Sequence, residues 1–270
     1  MRGSRRRTAG TAGGRAGSPA ASPCSPWSAA GGAVGGVIAE HYTADGTPAV
    51  AASTTTTTPA STSTVTEGDD LAAVVAKVSP SIVTVLVDGN RESALGSGVV
   101  LSADGLILTN NHVIASDGTV SVRLADGRTV PAKVVAADAT HDLALVQAEN
   151  VSGLTPATFA SDPSVAVGDT VLAFGAPLGL EGTVTSGIVS ALDREVNTGN
   201  EQLTGLLQTD AAINEGNSGG ALVDTAGQVI GINVAIATAG DGSTGSVGVG
   251  FAIPADTVTT VVKQLESQAG

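Results

Sequence analysis

Between residues 80 and 253 the apolar positions come in short runs cut by turn signals. In "TVSVRL" Val120, Val122 and Leu124 alternate with polar side chains, the period of a strand that buries one face. The runs "GSGVVLS", "LILTNNHVI", "TVSVRL", "RTVPAKVVAA" and "LALVQAE" are separated by "ADG", "SDG" and "ADG", tripeptides that favour tight turns. A second set follows in "GDTVLAFGAPLG", "GTVTSGIVSALD", "GLLQTDAAI", "GGALVDTAGQVIGINVAIA" and "GVGFAIP". Turns recur about every ten residues, a spacing that suits antiparallel sandwiches or barrels and leaves no room for crossover helices. Helical spacing appears only at the two ends of this region. Asp69 or Asp70 can cap a short helix over Leu71 to Val78 that Pro80 stops. At the other end "PADTVTTVVKQLESQ" places Val258, Val261, Val262 and Leu265 on one face, with Pro254 near its start. The pattern predicts an all-β fold of two barrels, residues 80–150 and 157–253, closed by a helix over 254–267.

Residues 1–66 carry no such pattern. They are rich in Gly, Ala, Ser, Thr and Pro and end in the Thr/Ser-rich stretch "STTTTTPASTSTVTEGDD", too poor in apolar surface to offset the entropy of ordering. A disordered tail is expected. Its basic start and the run "AAGGAVGGVIA" resemble a vestigial signal or anchor segment, but that run holds four glycines and falls short of the ~20 residues a membrane span requires. Membrane association is left open.

Composition narrows the function classes. Five of the twelve basic residues lie in the first fifteen positions, so from Glu67 onward there are 7 basic against 23 acidic side chains, a net −16. A surface of that sign repels nucleic acid and sets no nucleic-acid partner. Cys24 is the only cysteine, which excludes an internal disulfide and a cysteine metal cage. No metal site and no cofactor is read.

The densest chemical signal is "INEGNSGGALV", residues 213–223, where three glycines surround Ser218. A serine hydroxyl becomes a useful nucleophile when a base takes its proton and a third group orients the base. The chain has three histidines. His41 falls in the tail, and His141 directly precedes Asp142 on extended chain, where neighbours point apart. His112, at the end of the strand in "LTNNHVI", is the better base, with Asp142 of "THDLALV" as its orienting acid. The string Gly216 to Gly220 fits G-x-S-x-G, yet no histidine follows Ser218 as an α/β-hydrolase requires. The order His112, Asp142, Ser218 is that of chymotrypsin-like barrels. The glycines then let two backbone N–H groups, those of Gly216 and Ser218 with Asn217 in the turn between them, converge on an oxyanion.

Together "TNNHVI", "HDLALV" and "QTDAAINEGNSGGAL", supported by "AFGAPLGL", "GTVTSGIVSAL" and "GVGFAIP", resemble the HtrA/Deg family of trypsin-like serine proteases over residues 69–266. The resemblance implies a double six-stranded β-barrel, ATP-independent endopeptidase activity on unfolded polypeptides in protein quality control, and an extracytoplasmic setting. It carries over His112, Asp142 and Ser218 as the triad. It also implies that Ile213, Ala237 and Val247 line the specificity pocket and, with Ala212 in place of an acid, that cleavage follows small or medium aliphatic residues. Family trimers imply a homotrimer, although the only aromatics before Phe159 are Trp27 and Tyr42, both in the tail. The chain ends at Gly270, after the helix, so PDZ-mediated activation is not implied. Glu215 stands where relatives often carry proline, and a carboxylate beside an oxyanion would oppose it. The alternative is a chaperone-like binder of unfolded chains whose serine stays unreactive.

Overall fold

The computed structural model describes residues 67–89, 93–161, 165–175, 182–197, 202–214, 216–234, 246 and 248–269. The tail, with its signal or anchor segment, Cys24 and His41, lies outside the described residues, as do Glu215, Ala237 and Val247.

The first strands are β1 (Ile82–Gly89), β2 (Ser93–Val100), β3 (Leu106–Thr109), β4 (Gly118–Arg123), β5 (Thr129–Asp138) and β6 (Leu143–Ala148). They close into an antiparallel barrel in the order β1-β2-β3-β6-β5-β4. A second barrel, in the order β10-β11-β12-β9-β8-β7, uses β7 (Thr170–Gly175), β8 (Thr183–Asn197), β9 (Gln202–Thr209), β10 (Ala221–Val223), β11 (Val229–Val234) and β12 (Gly250–Pro254). The all-β double barrel expected from the turn spacing is the fold observed.

The period-two strands face water on one side. In β4 the alternation is visible, with Val120 and Val122 buried, Thr119 exposed and Ser121 and Arg123 half-buried. β6, "LALVQA", breaks the alternation because both its faces are covered. Val146 and Ala148 belong to the core of the first barrel, whereas Leu143 and Leu145 join a larger cluster that also holds Phe174, Ile232 and Leu265. A continuous apolar run is what a strand buried on both sides requires.

Helix α1 (Glu67–Val78) begins before the expected cap. Asp69 and Asp70 therefore fall inside its first turn and not at its cap. The terminal helix α3 (Ala255–Ala269) buries Val258, Val261 and Leu265 in the cluster shared with strands of both barrels. Each such side chain contributes about 1.5–3 kcal/mol by leaving water. Leu265 is 1% exposed, so Leu265→Ala is expected to cost about 2–5 kcal/mol of stability, read from the urea midpoint. An unchanged midpoint would show that α3 is an ornament on the barrels.

Candidate active site

β3 ends at Thr109. Asn110 continues in extended backbone, and a four-residue helix, α2 (Asn111–Ile114), follows. His112 therefore rides on a helical turn just past the strand end where the sequence placed it. Val113 is buried in the first barrel's core, which anchors α2 and leaves the adjacent His112 on its exposed side.

Asp142 is fully buried at the start of β6 with φ 53°, a left-handed conformation that Asp tolerates better than most residues. Its two carboxylate oxygens hold His112 at two points. Oδ1 accepts the main-chain N–H of His112 at 2.9 Å and Oδ2 lies 2.8 Å from the ring Nδ1. Its own carbonyl accepts the Asn110 carboxamide at 2.7 Å. The carboxylate can only accept, so Nδ1 carries the proton and the neutral ring keeps its lone pair on Nε2. The ring is 40% exposed against 1% for its partner.

His141 makes a different pair. Its Nδ1 lies 2.7 Å from Asp138 Oδ2, and its N–H and that of Thr140 donate to Asp138 Oδ1. This closes the β5–β6 turn and takes His141 out of the triad arrangement. Burial raises the Asp138 carboxyl, but hydrogen bonds from the His141 ring and from the main-chain N–H groups of His141 and Thr140 outweigh it, so its pKa lies below the ordinary 3.8. A carboxyl depressed on folding contributes stability above its unfolded pKa and loses it as pH falls through the folded value. Asp138→Asn is expected to lower the melting temperature by about 1–3 °C at neutral pH and to leave it unchanged near pH 2, in thermal scans at the two pH values.

Ser218 sits 4% exposed on the turn joining β9 to β10. Three of the turn's peptide groups are tied down. The N–H of Asn217 donates to Asn214 carbonyl at 3.0 Å, that of Gly219 to Asn233 carbonyl at 3.0 Å, and that of Gly220 to Asn217 carbonyl at 2.9 Å. The Asn217 carbonyl thus points toward Gly220. In a trans peptide N–H and C=O are opposed, so the N–H of Ser218 is aimed the other way. Asn217 itself closes the turn, its carboxamide donating to Ala212 carbonyl at 3.2 Å.

Barrel one meets this turn at β2. Ser97, buried, donates its main-chain N–H to Ser218 carbonyl at 2.7 Å and its hydroxyl to Gly216 carbonyl at 2.6 Å. Thr109, last in β3, donates its hydroxyl to Ser97 carbonyl at 2.7 Å. Gly219, at φ 81°, lies so close that a Cβ would overlap the Ser97 carbonyl oxygen and stand 3.1 Å from Asn110 N. The loop that carries the base and the turn that carries the hydroxyl therefore share one seam.

Ile213 is 6% exposed in a core cluster of the second barrel with Val171, Ala211 and Leu222. Of the three residues expected in a specificity pocket, it alone is described.

The trypsin-like peptidase domain model matches residues 96–232, half the chain and the span that holds His112, Asp142 and Ser218. The chain belongs to the trypsin-like peptidase family. The serine protease PepD of Mycobacterium tuberculosis (strain ATCC 25618 / H37Rv) is 50% identical over 212 residues, covering 72% of this chain and 46% of its own length. The periplasmic serine endoprotease DegP of Escherichia coli (strain K12) is 49% identical over 173 residues, 64% of this chain and 36% of its own. This peptidase chain thus spans less than half the length of these curated relatives. Among solved structures, the HtrA-type protease AlgW with tripeptide superposes with TM-score 0.66 at 42% identity, covering 72% of this chain and 62% of that one.

Sequence reasoning passed over Ser97, Thr109 and Asn233. Asn233 is fully buried and donates its carboxamide to the carbonyls of Phe174 and Ala221, both at 3.1 Å, while its N–H donates to Gly220 carbonyl at 2.8 Å. A lone asparagine in the apolar run "VIGINVAI" was a readable signal, since a buried amide needs partners.

Proposed function

We propose that this peptidase domain is a serine endopeptidase of the HtrA type acting on unfolded polypeptides in an extracytoplasmic compartment. The observation that carries the reading is the two-point hold of Asp142 on His112, beside a serine turn fastened to the same barrel.

His112 Nε2 takes the Ser218 proton as Oγ bonds to the scissile carbonyl carbon, and the carbonyl electron pair moves onto oxygen. The amides of Gly216 and Ser218 face that oxyanion. Collapse of the tetrahedral species returns the electron pair, breaks the C–N bond and sends the imidazolium proton to the departing amine. Water then repeats the sequence on the acyl-enzyme, with His112 again as base, and releases the acid and the free serine. Asp142 keeps Nδ1 protonated and offsets the charge of the imidazolium throughout. Ile213, Ala237 and Val247, which the family pattern assigns to the pocket for the residue before the cut, are all apolar, a character that favours valine and alanine there.

A fluorophosphonate probe should label Ser218 in the folded protein, and casein should be cut after small aliphatic residues. Absence of labelling, also with substrate present, would remove the enzyme reading and favour a chaperone-like holder. Cuts concentrated after Lys or Arg would remove the pocket assignment alone.

A further inference from the structure

The sequence "LGSGVV" puts one small polar side chain, Ser97, at the place where the two barrels touch. Its strand neighbours show how tight that place is. A Cβ on Gly96 would stand 2.7 Å from the methyls of Val113, next to His112, and 3.2 Å from the Ser218 carbonyl oxygen. Strand β2 is thus wedged between the helix of the base and the turn of the nucleophile. Most of the seam's other ties use main-chain groups, which any residue supplies. The bond from Ser97 Oγ to Gly216 carbonyl is a side-chain bond, and it acts on one of the two residues whose amides face the oxyanion in the reading above.

Gly216 has φ 96°, a conformation open to glycine and held by nothing intrinsic to it. The direction of its N–H depends on how the residue is oriented as a whole. Its carbonyl side is fixed twice: the oxygen accepts Ser97 Oγ at 2.6 Å, and the following N–H, that of Asn217, donates to Asn214 carbonyl at 3.0 Å. The 216–217 peptide plane is therefore gripped at both edges, and the grip on its oxygen comes from the other barrel. Ser97 is 0% exposed. Water cannot replace the hydroxyl without room being made, so its loss leaves a buried carbonyl short of a donor.

We propose that Ser97 is a positioning residue that aims the amide of Gly216 at the oxyanion by holding the Gly216 carbonyl from the first barrel. The inference rests on the endopeptidase reading of Ser218 and adds to it a residue remote in sequence that acts through the main chain. It also gives the two-barrel arrangement a task in the chemistry. The barrel that supplies the base sets the aim of the oxyanion donors in the other.

Removing an oxyanion donor outright costs about 10²–10³ in kcat. Ser97→Ala leaves the donor present and misaimed, so the expected loss in kcat is about 10- to 100-fold, with KM within about twofold. The deciding measurement compares two ligands of the same peptide sequence: an aldehyde, which forms the tetrahedral adduct on Ser218, and the corresponding amide, which binds without forming it. Ser97→Ala should weaken the aldehyde about tenfold or more and leave the amide unchanged, with a melting curve that still shows one cooperative transition. Ser97→Cys, a poorer donor of similar shape, carries the same readout should the alanine variant not fold. Equal aldehyde affinity in wild type and variant overturns the proposal. So does a parallel loss of aldehyde and amide affinity, which would mean general loosening of the seam. Wild-type protein that forms no aldehyde adduct overturns the endopeptidase reading itself, and the proposal with it.

Discussion

Ser218→Ala is expected to lower kcat on casein by about a millionfold while leaving the fold in place. The turn around it is held by main-chain bonds, with the Ser218 carbonyl accepting from Ser97 N–H and the amides of Asn217, Gly219 and Gly220 donating to carbonyls, and by the side chains of Ser97 and Asn217. Alanine keeps all of them and removes one oxygen from a site that is 4% exposed. The melting temperature should move by no more than about 2 °C. Residual hydrolysis would come from substrate binding and the oxyanion donors alone, and adding His112→Ala should cost almost nothing more, because the groups work as one unit. The comparison is a single-turnover casein assay on the three proteins, with the melting curve of each. Casein cut by the alanine variant at the wild-type rate would place the nucleophile on another side chain.

The parts of this molecule that were legible in the sequence are those where function and local pattern coincide. Turn tripeptides and period-two runs predict barrels because strand pairing and the burial of one face impose that period, as at Val120 and Val122. Ser218, His112 and Asp142 stood out by chain order and by the shortage of alternatives, since no histidine follows residue 218. Smaller displacements arose where tertiary packing prevailed over local preference. His112 lies on a helical turn, not on the strand itself, because burying Val113 in the first barrel pulls the chain into α2.

What stayed hidden acts through the main chain or across the seam. Ser97 looks like any small residue in a strand, and its significance arises only when residue 216 is brought beside it, more than a hundred positions away. Ile213 shows the converse. An apolar residue near the nucleophile reads as pocket lining, yet barrel closure places it among Val171, Ala211 and Leu222. How much of it faces a substrate depends on the surrounding loops and not on the spacing of its own segment.

Asp142→Asn is expected to lower kcat about ten-thousandfold, some 5.5 kcal/mol of transition-state stabilisation, for a reason that lies in the two-point hold. Asp142 presents two acceptor oxygens to two donors, the main-chain N–H of His112 at Oδ1 and the ring at Oδ2. A carboxamide has one acceptor and one donor edge. The main-chain N–H cannot change role, so the amide oxygen takes that position and the NH₂ group faces Nδ1. The ring answers by moving its proton to Nε2, and a protonated Nε2 cannot accept the serine proton. Little else should change, because Asn tolerates φ 53° as Asp does and still accepts the buried N–H. KM and the melting temperature should therefore remain near wild type, and the nitrogen-15 shifts of His112 should report the switched tautomer. Asp142→Ala provides the contrast, since it leaves that N–H without an acceptor and places an ordinary Cβ residue in the left-handed region, so it should lose stability as well as rate. A fully active asparagine variant would show that something other than Asp142 sets the tautomer of His112.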